Sequence, residues 1–194
     1  TTLSAGDNDK YREGFGPLPG GFKHVAFRNM KEMRAAMDGT TAAILVEQIQ
    51  GEGGINPETA EYLRELRKIA DEFDALLIFD EVQCGMSRSG SLFAYSLADM
   101  EPDVMGLAKG IGGGFPVGAV LATEKAAAGM IPGTHGSTYG GNPLAMAAAN
   151  AVLDVMLEPG FLSSVREKGD YLKNQLDKLA NSYPTIIDSV RGTG

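Results

Sequence analysis

Lys109 stands in the run Gly106-Leu107-Ala108-Lys109-Gly110-Ile111-Gly112-Gly113-Gly114-Phe115-Pro116. Lysines avoid burial. One set among small apolar residues and glycines is therefore either a solvated loop residue or a reactive amine, since desolvation lowers its pKa and frees it to attack a carbonyl. Lying 29 residues earlier, Asp80 belongs to Leu76-Leu77-Ile78-Phe79-Asp80-Glu81-Val82-Gln83-Cys84-Gly85, where four apolar residues end in two carboxylates. In an extended chain, Asp80 and Val82 face one way and Glu81 and Gln83 the other. A third cluster, Glu47-Gln48-Ile49-Gln50-Gly51-Glu52-Gly53-Gly54, reads either as a polar turn or as a place where backbone approaches a ligand closely. The fourth is His135-Gly136-Ser137-Thr138-Tyr139-Gly140-Gly141-Asn142-Pro143. Hydroxyl and glycine residues just ahead of a helix favour an anion, although helix capping alone explains Asn142.

Two nucleotide readings fail on spacing. Asp80 resembles the Mg²⁺-supporting aspartate of nucleotide hydrolases, but no Gly-x-x-x-x-Gly-Lys-Ser/Thr occurs in the chain. The glycine run after Lys109 has Phe115 where a dinucleotide fingerprint needs glycine. Taken together, an acid ending one strand, a lysine ending another and a hydroxyl-rich anion loop suit pyridoxal phosphate. That cofactor needs a lysine for its aldehyde, a carboxylate for its ring nitrogen and donors for its phosphate.

These residues must be carried by strands and helices in alternation. Residues 42–46 and 75–79 are unbroken apolar runs, expected as strands buried on both faces, and 104–108 and 117–122 are weaker candidates. Asn56-Pro57 is expected to open a helix whose Tyr62, Leu63, Leu66, Ile69, Ala70 and Phe73 form one apolar face. Further helices are expected over 29–37, from Asn142-Pro143, and over 161–182. The helix after Pro143 is apolar nearly all round, which predicts burial, within the chain or in a subunit interface. Residues 1–22 read as loop. The fold class expected is α/β, a three-layer αβα arrangement around a mostly parallel sheet, with ligands beyond the carboxyl ends of the strands.

Composition narrows the partners. Lys and Arg number 17 against 25 Asp and Glu, a net charge of −8, which argues against nucleic acid or an anionic membrane surface. No apolar run approaches the roughly 18 residues of a membrane span. The lone Cys84 excludes an internal disulfide framework and is read as a small buried residue, while His24 and His135 show no metal-ligand spacing. A reducing cytoplasm is expected.

The four motifs, with residues 11–20, resemble class III aminotransferases, and most of all the acetylornithine and ornithine members. The resemblance implies a pyridoxal-phosphate large domain of fold type I. It implies that Lys109 carries the cofactor and then moves the substrate Cα proton, and that Asp80 keeps the ring nitrogen protonated. Val82 would pack on one ring face, Gln83 would bond the phenolic oxygen, and Ser137 and Thr138 would serve the phosphate. Thr138 would reach the neighbouring subunit's cofactor, so a homodimer with a shared active site is implied. Glu52 would be the carboxylate that gates a substrate-binding arginine, with Glu47 supporting it. The implied reaction moves an amino group from N-acetylornithine, or from ornithine, 4-aminobutyrate or succinylornithine, to 2-oxoglutarate, in arginine biosynthesis.

Family members run to about twice this length. The chain is expected to be a piece of the large domain, with residues 1–184 inside it and 185–194 beginning a C-terminal small domain. Alone it should bind cofactor poorly. The reading of a different class is a non-catalytic, cofactor-free interaction module on the same sheet.

Overall fold

The structure, a computed structural model, describes all residues, 1–194. The chain forms two compact units, Thr1–Thr40 and Thr41–Gly194. In the first, α1 (Thr2–Ala5) and α2 (Asp9–Arg12) interrupt the stretch expected to be loop. The Asn8 side chain caps α2 by accepting from the Lys10 amide, and Arg12 ties the turns together by donating to the Leu3 carbonyl at 3.2 Å. Helix α3 (Met30–Ala36) forms where its methionine spacing predicts, capped by Asn29.

The second unit is built on a four-stranded sheet. Its strands are β1 (Ala43–Val46), β4 (Leu76–Asp80), β5 (Val104–Leu107) and β6 (Ala119–Ala122), adjacent in that order. β1, β4 and β5 pair in parallel, and β6 returns antiparallel along β5. Two short strands, β2 (Ile49–Gln50) and β3 (Asn56–Pro57), make a separate hairpin. Asn56-Pro57 thus enters a strand instead of opening a helix. Helix α4 (Ala60–Glu72) starts later, where the Thr59 hydroxyl accepts from the Tyr62 amide. Two start signals, Asn56 and Thr59, lie three residues apart, and strand pairing took the first.

Helix α4 packs on β1 and β4 and buries Leu63, Leu66, Ile69 and Ala70, the face expected. Leu77 and Phe79 are buried in alternation along β4. β1 departs from expectation: it is an edge strand, and Leu45 is 53% exposed. Helix α5 is short (Glu124–Ala127), and α6 (Pro143–Met156) and α7 (Phe161–Ser182) complete the unit. Within this chain helix α6 is only partly enclosed. It buries Ala145 and Ala149 but leaves Leu144 and Val155 exposed. No single helix is long and apolar enough to cross a membrane.

One polar knot holds the sheet to α4. Asp103 accepts from the Leu77 amide at 2.8 Å and from Arg67 at 2.6 Å, and Arg67 also pairs with Asp71. Burial works against the Asp103 anion, but these donors outweigh it and hold its carboxyl below the ordinary range. A lowered folded value means that Asp103 contributes stability above its unfolded pKa of about 3.9, lost as pH falls through the folded value. In urea titrations Asp103→Asn should lose about 2 kcal/mol at pH 7. That deficit should stay constant down to about pH 5 and shrink in more acid buffer. Leu66→Ala, a cavity in the apolar face of α4, should cost about 2–5 kcal/mol with no such pH dependence.

Candidate active site

Strand pairing assembles the site. Asp80, the last residue of β4, lies in register with Gly106 of β5. Because the two strands run the same way, both deliver their following residues to one edge, and Lys109 comes three residues after Gly106. The turn at Lys109 is unusual: its φ is 45°, in the left-handed region. It opens a 3₁₀ segment, Lys109–Gly112, that packs on α6. Gly113 permits the approach, since it also has positive φ and a Cβ there would stand 2.6 Å from Val152 Cγ2. Ile111 is buried beneath with Met105, Leu107 and Ala149, anchoring the segment from below.

Lys109 is exposed, the solvated one of the two alternatives its neighbours allow. Its Nζ donates to Gln83 Oε1 at 2.7 Å. Half-buried Asp80 accepts at Oδ1 from the Val82 amide at 3.0 Å, which fixes the carboxylate at the mouth of the turn. Beyond Asp80 the chain leaves the extended conformation. Val82 and Gln83 therefore no longer alternate about the strand, and Gln83 swings toward Lys109.

Two further carboxylates join this edge. Glu47 follows β1, and its Oε1 accepts from the Gly51 amide at 3.1 Å. Burial raises its pKa above the ordinary value; the Gly51 amide opposes the rise, Asp80 and Glu52 add to it, and Lys109 offsets it. Glu47, Glu52, Asp80 and Lys109 thus share one local field, although Glu52 itself is exposed in the β2–β3 turn. Ser137 and Thr138 lie in an exposed loop leading to α6, whose first turn is capped by Asn142 accepting from the Ala145 amide. No hydrogen bond joins that pair to Asp80, Gln83 or Lys109.

One participant was half-read in the sequence. Glu81 appeared there as the second of two edge carboxylates, yet it is fully buried. The signal was present: residues 77, 79 and 81 share one phase of the strand, and Leu77 and Phe79 point inward. Gln48, 2% exposed, gave no comparable sign.

An amine, an amide and a carboxylate along one edge fit a ring that carries an aldehyde, a phenolic oxygen and a basic nitrogen. Comparison with known proteins agrees. The family described as aminotransferase class-III matches residues 1–194. The acetylornithine aminotransferase of Mesorhizobium japonicum is 52% identical over 193 residues, covering 100% of this chain and 48% of that protein. The ornithine aminotransferase of Toxoplasma gondii, solved with partial occupancy of PLP at its active site, superposes with a TM-score of 0.94 at 33% identity, over 100% of this chain and 46% of that one. The N-acetylornithine aminotransferase of Stenotrophomonas maltophilia gives 0.80 at 37% identity, over 91% and 46%. The chain spans about half the length of these relatives. It belongs to the class III aminotransferases, enzymes that work with pyridoxal phosphate.

Proposed function

We propose that the protein carrying these residues moves an amino group between N-acetylornithine and 2-oxoglutarate, a step of arginine biosynthesis. The observation that carries this reading is the 2.7 Å contact of Lys109 with Gln83 beside the carboxylate of Asp80. The name borne by relatives about half identical to this chain supports the donor. Ornithine, 4-aminobutyrate and succinylornithine are the donors to compare against it.

Bound pyridoxal phosphate supplies an electron sink for the carbanion left when the substrate Cα loses its proton. This chain's residues do the rest. Asp80, with Oδ1 already held by the Val82 amide, uses its remaining oxygen to keep a ring nitrogen protonated. A fixed anion there favours the transition state more than the ground state, because the ring gains electron density only as the reaction proceeds. Lys109 holds the cofactor and, once released, takes and returns the Cα proton. Gln83 orients the amine and then faces the phenolic oxygen, while Val82 covers one ring face. Ser137 and Thr138 donate to a phosphate. Both lie in an exposed loop, which suits a homodimer in which Thr138 serves the other subunit's site. Glu52, out on its turn and exposed, suits a gate that pairs with a substrate-binding arginine, with Glu47 behind it. We place the enzyme in the cytoplasm. These 194 residues alone should hold the cofactor weakly, being about half of a relative's length.

Adding pyridoxal 5'-phosphate to the whole protein should give a visible absorption band that is absent from Lys109→Ala. Glutamate formation from N-acetylornithine and 2-oxoglutarate should fall by about 10²–10⁴-fold in that variant, the scale of a lost general acid–base group. A band of full strength without Lys109 refutes the assignment, and faster turnover of 4-aminobutyrate than of N-acetylornithine refutes the donor.

A further inference from the structure

Glu81 is a carboxylate with no solvent contact, one residue from Asp80, and the chemistry proposed above leaves it idle. Its surroundings are unusually well matched to an anion. Oε1 accepts from Gln48 Nε2 and from the Tyr95 amide, each at 2.7 Å, and Oε2 accepts from the Ala94 amide at 2.7 Å. Its own amide donates to the Gly106 carbonyl at 3.0 Å, carrying the β4–β5 ladder one residue past Asp80. Its carbonyl accepts from the Gly85 amide at 3.0 Å and closes the turn that holds Val82 and Gln83. Gly85 has no room for a side chain, since a Cβ would lie 2.7 Å from both that carbonyl oxygen and Oε2.

The partners of Glu81 matter by position. Gln48 directly follows Glu47, at the entry to the hairpin that bears Glu52. That hairpin also touches the Asp80 turn directly, for a Cβ on Gly51 would stand 3.1 Å from Gln83 Cγ. Cys84 Sγ approaches Gln48 Oε1 and the Asp80 carbonyl, each at 3.7 Å. Two segments that carry site residues, after β1 and after β4, therefore meet at one buried side chain, whose backbone amide is in turn paired with Gly106 of β5, three residues before Lys109.

We propose that Glu81 is a positioning residue: by accepting from Gln48 and from the Ala94 and Tyr95 amides, it fixes the Asp80–Gln83 turn against the Glu47–Glu52 hairpin and so sets where Asp80 and Gln83 stand relative to Lys109. The alternative is a buried acid that stabilises the fold and nothing more. Burial pushes the Glu81 carboxyl above its ordinary value, with the Ala94, Tyr95 and Gln48 donors opposing, so the anion depends on its donors. The proposal rests on the cofactor roles given above to Asp80, Gln83 and Lys109.

The test uses the whole protein and pyridoxal 5'-phosphate as the probe, measuring its dissociation constant, the pH midpoint of its visible band and the thermal midpoint. Gln48→Met removes one donor and leaves the two amides. Glu81→Gln places an amide NH₂ against donors. Leu66→Ala, which opens an apolar cavity in α4 and removes no hydrogen bond to Glu81, is the control. Gln48→Met should weaken cofactor binding about tenfold, the loss of one hydrogen bond to a charged group, and should shift the pH midpoint. Leu66→Ala should change neither. Glu81→Gln should exceed Gln48→Met; if it fails to fold, Gln48→Met decides alone. A change in Gln48→Met of less than about threefold beyond the control overturns the proposal, as does an unmoved pH midpoint. A wild-type protein without a Lys109-dependent band refutes the cofactor assignment itself, a result distinct from a normal wild-type band that the variants leave unchanged.

Discussion

Parallel pairing of β4 with β5 in one register, Ile78 with Val104, Phe79 with Met105 and Asp80 with Gly106, is the constraint on which the site depends. Side chains alternate along a strand, so a slip of one residue would turn Asp80 to the opposite face and move Lys109 along the edge. What prevents the slip is apolar: Leu77, Phe79, Met105 and Leu107 are all buried and lose their places together if the register shifts. The alignment of Asp80 with the turn at Lys109 is thus enforced by apolar side chains inside the sheet.

The edge so formed divides its acids by environment. Asp80 has one oxygen occupied by a backbone amide and one open. Glu47 is half-buried and feels two other carboxylates, with Lys109 as the cation that offsets them. Glu81 lies wholly inside, met by three donors. Three carboxylates at the ends of two adjacent strands thereby acquire three behaviours, set by how many donors each has and how much water it keeps.

Much of this was legible in the residues. The apolar runs marked β1 and β4, the methionine spacing marked α3, and the α7 boundaries follow from the amphipathic pattern and the Tyr183-Pro184 stop. The failures have physical causes. Asn56-Pro57 carries a sound helix-start signal, yet cross-strand pairing with Ile49 and Gln50, a contact between residues distant along the chain, outweighs it. The apolar composition of α6 says that some surface should cover it but not which, and within this chain only Ala145 and Ala149 are enclosed. The residue types around Lys109 do not encode the left-handed turn it adopts. The bracket around Glu81 needed Gln48 and Tyr95, which no local pattern links.

That left-handed turn carries a cost. A non-glycine residue at φ 45° gives up roughly 1–2 kcal/mol relative to an ordinary conformation, and a glycine there would give up almost nothing. Glycines flank the position on the C-terminal side, so the backbone is already suited to a residue without a side chain. Exchanging Lys109 for glycine would relax the turn and remove the amine in one step, so the easiest backbone and the amine compete for a single position.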